Sequence, residues 1–337
     1  MILVTGATGF IGVYLIERLV RGSANVLATG RSKLGEAYYN KQGIPFIRLD
    51  VTRGKDFDRL PGKHVRAVVH LASLIPANVR AQDYSPRRYI ESNVIGTLNV
   101  LEFCRINNIR KLIYTSSHGE VEGLWEAGAP IAETAGKNFK YTGDHAMYVI
   151  SKAAAADCIE HYSQEHGIQA IVLRLPPVYG YGPHLEIYKD GRPLKTGFEI
   201  FIENAAAGKP IEIWGDAKKG RDIVYVKDVA SAITLALESP DATGLYNIAS
   251  GRPLSLEEEV KGIIRVFSPN GCRSQIIYRP DKPNSLKPFL YDIAKAKRDL
   301  KWSPLYSYEE MLRDYKREME SGKFKFLLAK KERTHRK

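Results

Sequence analysis

Cysteine is scarce in this chain, and its scarcity excludes two common frameworks. The three cysteines, Cys104, Cys158 and Cys272, share no metal-ligand spacing, and their odd number does not make a disulfide scaffold. No metal site is expected. A reducing, cytoplasmic setting fits them best. Also missing is any stretch approaching the ~20 apolar residues of a membrane span. The apolar run Ile2, Leu3, Val4 directly after Met1 leaves no room for a secretory leader. No low-complexity tract or internal repeat interrupts the 337 residues, and 44% hydrophobic with 26% charged residues is ordinary globular composition.

Positive charge is in excess, but unevenly. Seven basic residues (Lys323, Lys325, Lys330, Lys331, Arg333, Arg336, Lys337) face Glu332 alone after position 322, so half of the net +12 lies there. Residues 321–337 therefore read as a solvated, frayed basic tail rather than a nucleic-acid-binding element. The rest of the charge is spread through the body, where it suits a phosphate-bearing substrate.

What is present is a regular alternation. Strand-length apolar runs at 2–5, 25–29, 45–50, 67–71, 111–116 and 169–175 are separated by helix-patterned segments such as 10–21, 86–107 and 146–166. Non-alternating strands between helices predict an α/β fold, a Rossmann-type doubly wound parallel sheet. From Pro176 onward Pro and Gly are frequent and helices shorter. The division expected is a dinucleotide-binding region over 1–175, then a smaller substrate-binding region over 176–320 that returns segments to the sheet.

The first turn carries Gly6, Gly9 and Gly12 in Thr5-Gly6-Ala7-Thr8-Gly9-Phe10-Ile11-Gly12. Such spacing between a buried strand and a helix lets the backbone turn tightly, approach a pyrophosphate and pack closely. The second strand runs into Gly30-Arg31-Ser32. An acidic residue there would bind a ribose 2′-hydroxyl, whereas Arg31, helped by Ser32, tilts the choice to NADP over NAD. Asp50, ending the third strand, suits the adenine amine.

Tyr148 and Lys152 stand four residues apart, on one face of a helix. A phenol titrating near 10 needs a nearby cation before it can take a proton from a carbinol at neutral pH. Thr115-Ser116-Ser117 ends the fifth strand, at the sheet edge where ligands bind, and Ser117 can share that carbinol.

These segments together resemble an extended short-chain dehydrogenase/reductase of the NAD-dependent epimerase/dehydratase type. The resemblance runs from Ile2 to about Tyr315 and takes in Val69-His70-Leu71-Ala72, Asn93-Val94-Ile95-Gly96-Thr97, Arg174-Leu175-Pro176-Pro177-Val178-Tyr179-Gly180, Arg221-Asp222-Ile223-Val224-Tyr225 and Tyr246-Asn247-Ile248-Ala249. It implies Tyr148, Lys152 and Ser117 as catalytic residues. Leu71, Ala72 and Ser73 would line the nicotinamide side, with Phe10, Ile11, Val51 and Pro176 also at the cofactor. Asn93 would orient the active-site helices and water. Arg221 and Arg279 would grip a substrate diphosphate, Trp214 would face a nucleotide base, and His118 would lie beside the substrate. Residues 86–107 and 146–166 would pair with their copies in a homodimer.

The chain also departs from that pattern. Pro177 stands where nucleotide-sugar members often carry Asn, Ser117-His118-Gly119-Glu120 lacks the Asp-Glu of sugar dehydratases, and Glu122 replaces a usual Tyr. The loop over 184–197 is long and is expected to shape specificity. The leading expectation is an NAD(P)-dependent epimerase or ketoreductase acting on a nucleotide-diphosphate sugar. The alternatives are a reductase of steroid- or flavonoid-type alcohols and a non-catalytic cofactor sensor.

Overall fold

The computed structural model describes residues 1–76, 84–143, 145–183, 187–189 and 192–328. Strand β1 (Ile2–Thr5) is buried along its whole length, as a strand covered on both faces must be. It leads into α1 (Phe10–Arg21), and the alternation continues through β2 (Val26–Gly30), α2 (Lys33–Asn40), β3 (Phe46–Arg48) and β4 (Ala67–His70). Helix α3 (Pro86–Tyr89) passes through a π-turn (Ile90–Ile95) into α4 (Gly96–Ile106). Then come β5 (Lys111–Ser117), α5 (Ala146–His166) and β6 (Gln169–Leu175).

Beyond β6 the strands are short and pair two by two. They are β7 (Val178–Tyr179) with β12 (Val224–Tyr225), β8 (Ile187–Lys189) with β9 (Arg192–Leu194), β10 (Ile211–Trp214) with β15 (Ile276–Arg279), and β11 (Gly220–Arg221) with β14 (Leu254–Ser255). Strand β13 (Gly244–Asn247) returns to the main sheet beside β6. Interspersed are α6 (Gly197–Ala206), α7 (Val226–Glu238), α8 (Leu256–Phe267), α9 (Ala294–Asp299), α10 (Tyr308–Ser321) and α11 (Lys325–Leu328). The main sheet is seven-stranded, parallel, and ordered β13-β6-β5-β4-β1-β2-β3.

Alternate strand residues feed opposite faces. Ile2, Val4, Val69, Ile113 and Ile171 pack under α1 and α7, while Leu3, Val68, Leu112 and Ala170 pack under α4 and α5. Both faces being covered, the strands need no polar side, and the doubly wound expectation holds. A third core joins Val13 and Tyr14 of α1 to Ile211, Val260, Ile263 and Leu312 of the smaller region. Helices α6, α8 and α10 each begin with a capping box, Thr196/Glu199, Ser255/Glu258 and Ser307/Glu310.

The helix expected over 86–107 is present, and the π-turn lies inside it without leaving helical backbone. One expectation needs correction. Residues after Ser321 do not simply trail into solvent: Phe324 is 1% exposed, and Lys323 bridges Glu17 and Glu318. Lys330, Lys331, Arg333, Arg336 and Lys337 lie outside the described residues, as does part of the loop over 184–197.

Candidate active site

The turn after β1 is shaped by what a side chain would hit. Gly6 has φ +67°, and a Cβ there would lie 2.6 Å from the Ala72 backbone nitrogen. At Gly12 a Cβ would lie 2.4 Å from the Gly6 carbonyl oxygen, so helix and turn touch backbone to backbone. Gly9 caps α1 without a side chain, and the first turn carries no acidic residue. The open N–H groups and positive helix end are left for an anion.

Around that turn lies a cleft of about 380 Å³ walled by Gly6, Gly9, Arg31, Ser32, Asp50, Val51, Leu71, Ala72 and Ser73. All of these were expected. Thr8, Leu34, Leu49, Leu74 and Leu327 also line it and were not. Leu34 and Leu49 lie within three residues of expected contacts, and Leu327 has no local signal. Phe10, Ile11 and Gly12 form the helix start behind the turn. Pro176 is buried just past β6 and does not line this cleft. Ser32 accepts hydrogen bonds from the Leu34 and Gly35 amides as the cap of α2, and Asp50 accepts from Thr52.

Asn93 lies where it can orient the active-site helices, although it also stood among the residues expected at the cofactor. It is 1% exposed; its side-chain oxygen accepts from Ser73 Oγ and Leu74 N, and its Nδ2 donates to the Leu74 carbonyl and Ser151 Oγ. With four bonds inside the protein it positions the cleft wall against α5 rather than touching a cofactor. The π-turn that carries it re-aims the helix locally, a common device at functional sites.

Tyr148 and Lys152 lie on α5, and the Ser117 hydroxyl at the end of β5, which accepts from the Gly119 amide, lies near the Tyr148 phenol. Burial pushes the phenol up to about 12, with the Ser117 hydroxyl working against it. Burial pushes Lys152 down to about 7, opposed by Glu120. The ammonium sits 4.0 Å from the centre of the Tyr114 ring. Glu120, named from sequence as a departure from the dehydratase pattern, is 3% exposed beside Ser116, and burial raises its carboxyl. Buried His70, held between Thr5 and Thr97, is pushed down to about 3 by burial and stays neutral. His118 stacks on Trp125 and Phe289, and burial pushes it down to about 4.

A second cleft, about 800 Å³, opens past β6 and is lined by Pro177, Val178, Phe198, Trp214, Arg221, Glu259 and Asn284 among others. Arg221 Nε and Asn284 Nδ2 are buried there without a hydrogen-bond partner among the described residues. Buried donors left unpaired are costly, so they await an acceptor. Arg221 also donates to the Tyr179 hydroxyl at 3.3 Å, and that hydroxyl donates to Glu259. Trp214 is half exposed, its Nε1 donating to Glu212 and Lys282 lying over its ring. Arg279 is not brought into the wall with Arg221. It is ion-paired to Glu212 beside Trp214.

The sheet order decides how the clefts relate. The first cleft is walled at the ends of β4, β1, β2 and β3; the second begins just past β6. Strand β5, ending in Ser117, runs between β4 and β6. The strand that ends in Ser117, beside Tyr148 and Lys152 of α5, thus runs between the strands that wall the first cleft and the strand before the second.

Residues 2–249 match the model of the NAD dependent epimerase/dehydratase family. The chain belongs to that family. A UDP-glucuronate 4-epimerase of Thermodesulfobacterium geofontis is 29% identical over 325 residues, covering 92% of this chain and 93% of that protein. A UDP-glucose 4-epimerase of Thermotoga maritima, solved with UDP-glucose, superposes with a TM-score of 0.77 at 27% identity, covering 95% and 98% of the two chains. The Thermus thermophilus UDP-glucose 4-epimerase, solved with NAD, gives 0.72 at 27%, covering 93% and 97%. Membership in this epimerase/dehydratase family makes the chain an NAD-dependent enzyme of the extended short-chain dehydrogenase/reductase type. Among the described residues no helix is long and apolar enough to cross a membrane.

Proposed function

We propose that the chain epimerises a UDP-sugar by oxidising one carbinol and reducing it again from the other face. The observation that carries this reading is Ser117, at the end of the strand that runs between those walling the two clefts, set beside Tyr148 of α5. The backbone cradle at Gly6 and Gly12 fits a dinucleotide pyrophosphate, which a side chain at either position would displace. A nicotinamide held there would supply the hydride acceptor and donor. Tyr148 takes the carbinol proton and gives it back, Ser117 holds the same oxygen, and Lys152 stabilises the phenolate. The unpaired donors of Arg221 and Asn284 suit substrate phosphate or base oxygens. Trp214 supplies a ring for the base.

NAD is the cofactor proposed. The tilt to NADP drawn from Arg31 gains no support from an NAD-dependent family, and the Ser32 oxygen already serves as a helix cap. The free cysteines support a reducing, cytoplasmic setting. Residues 1–175 are taken as the dinucleotide region, 176–320 as the substrate region.

The test is to incubate the protein with UDP-glucose, UDP-galactose and UDP-glucuronate and a trace of NAD. A mixture of epimers without net NADH is expected. Stoichiometric consumption of reduced cofactor would make it a ketoreductase. If no UDP-sugar is converted and UDP does not bind at millimolar concentration, the substrate class fails, and a non-nucleotide alcohol becomes the better reading.

A further inference from the structure

Helix α11 is a single turn, yet one of its side chains reaches the dinucleotide cleft. Leu327 is 9% exposed and joins Leu34 and Gly35 in the wall of that cleft, on the side of the Arg31–Ser32 rim. The rim follows β2, away from Leu71, Ala72 and Ser73, so Leu327 stands at the adenosine end.

Three separate attachments hold it there. Phe324, 1% exposed, packs edge-on against Tyr14 of α1 with ring centres 5.4 Å apart. Lys323 pairs with Glu17 of α1 and Glu318 of α10, each at 2.7 Å. Phe326 stacks on Tyr38 of α2, ring centres 6.1 Å apart. The segment therefore spans the two helices that flank the cleft, α1 behind the glycine turn and α2 behind the ribose rim. A frayed tail would make none of these contacts.

We infer that residues 323–327 form a clasp over the adenosine end of the cleft, with Leu327 a cofactor-contacting residue that slows dinucleotide release. The inference rests on reading this cleft as the NAD site. An enzyme that returns its own hydride needs the dinucleotide to stay through both half-reactions, and an apolar wall at the exit serves that need.

The test uses the full chain and two variants, Leu327→Ala and Phe326→Ala. The first shaves the wall and keeps the Phe324 anchor; the second loosens the clasp at an exposed ring without touching core or cleft. Dissociation of NAD and affinity for ADP-ribose are measured, with UDP affinity and melting temperature alongside. Leu327→Ala should release NAD about tenfold faster and weaken ADP-ribose to a similar degree, the effect of losing a few buried methylenes. Phe326→Ala should shift both in the same direction by less, and UDP affinity should hold in both variants. Unchanged NAD release in both variants overturns the clasp while leaving the cofactor site standing. A parallel fall in UDP affinity also overturns it, because the segment would then only support the fold. A parent that binds neither NAD nor ADP-ribose overturns the cofactor reading and the clasp together.

Discussion

Burial sets the Tyr148–Lys152 pair against its own chemistry. It makes the phenol a weaker acid, about 12, and leaves the lysine only partly charged at neutral pH, about 7. Ser117 offsets the first effect, which is the part proposed for it beside its capping of the following turn. Tyr148→Phe should lower kcat by at least ~100-fold and leave NAD binding and melting temperature unchanged. Turnover near that of the parent would remove Tyr148 from the mechanism. Asp222 gives a test by pH. Its carboxyl is fully buried and pushed up to about 6, mainly by burial, despite bonds from Ser250, Gly251 and Tyr291. The folded state thus keeps a proton that the unfolded chain releases near its ordinary value of 3.8. Stability from this group is complete below about 4, is lost as pH rises to about 6, and is constant above. The stability of the parent relative to Asp222→Asn should therefore fall between pH 4 and 6 and then level off. A pH-independent difference in denaturant unfolding over that range contradicts the assignment.

Whole elements were the most legible part of the sequence, because continuous apolar strands and amphipathic helices announce themselves. Strands β1 and β6 and helices α1 and α5 fall where the pattern put them. The π-turn was not legible: one extra residue in a helix barely disturbs a 3.6-residue period. Asn93 is the residue that uses it. Asn93→Ala would leave the Leu74 amide and carbonyl and Ser151 without that partner, at a cost of about 2–4 kcal/mol. Chemical denaturation measures this, and kcat should fall with it because Ser151 adjoins Lys152. The glycine turn, by contrast, was readable from spacing alone. Gly12→Ala would drive a Cβ into the Gly6 and Ala7 carbonyls, both backbone atoms that cannot swing away. Overpacking of this kind costs about 1–3 kcal/mol, and NAD affinity should fall at least tenfold by calorimetry. A Gly12→Ala protein with parental NAD affinity would show that the turn does not hold the pyrophosphate.

At the scale of the whole molecule, sequence reading failed where contacts join distant segments. Leu327 reaches a cleft built from residues before 93, and Arg279 is engaged with Glu212 instead of sharing the cleft wall with Arg221. Nothing local foretells either. The surface of α4 and α5 raises the same kind of question about a second chain. Their inner faces cover the sheet through Val100, Leu101, Ala155 and Ile159. Their outer faces still carry apolar groups: Ile95, at the end of the π-turn, and Ile106, on α4, are exposed, and Leu98, Cys158 and Tyr162 are half-buried around the Tyr162–Glu102 hydrogen bond. Ile95, Leu98, Glu102 and Ile106 follow helical spacing, so they form one stripe along α4. Apolar stripes on neighbouring helices suit a two-fold contact in which each pair meets its copy. A homodimer joined through α4 and α5 is therefore expected, and light scattering at micromolar concentration should return the mass of two chains. Ile106→Glu places a charge opposite or near its own copy and should shift that mass toward one chain, with secondary structure and NAD binding retained. A parent that scatters as one chain, or an Ile106→Glu protein that stays dimeric, would mean that these faces meet solvent and not each other.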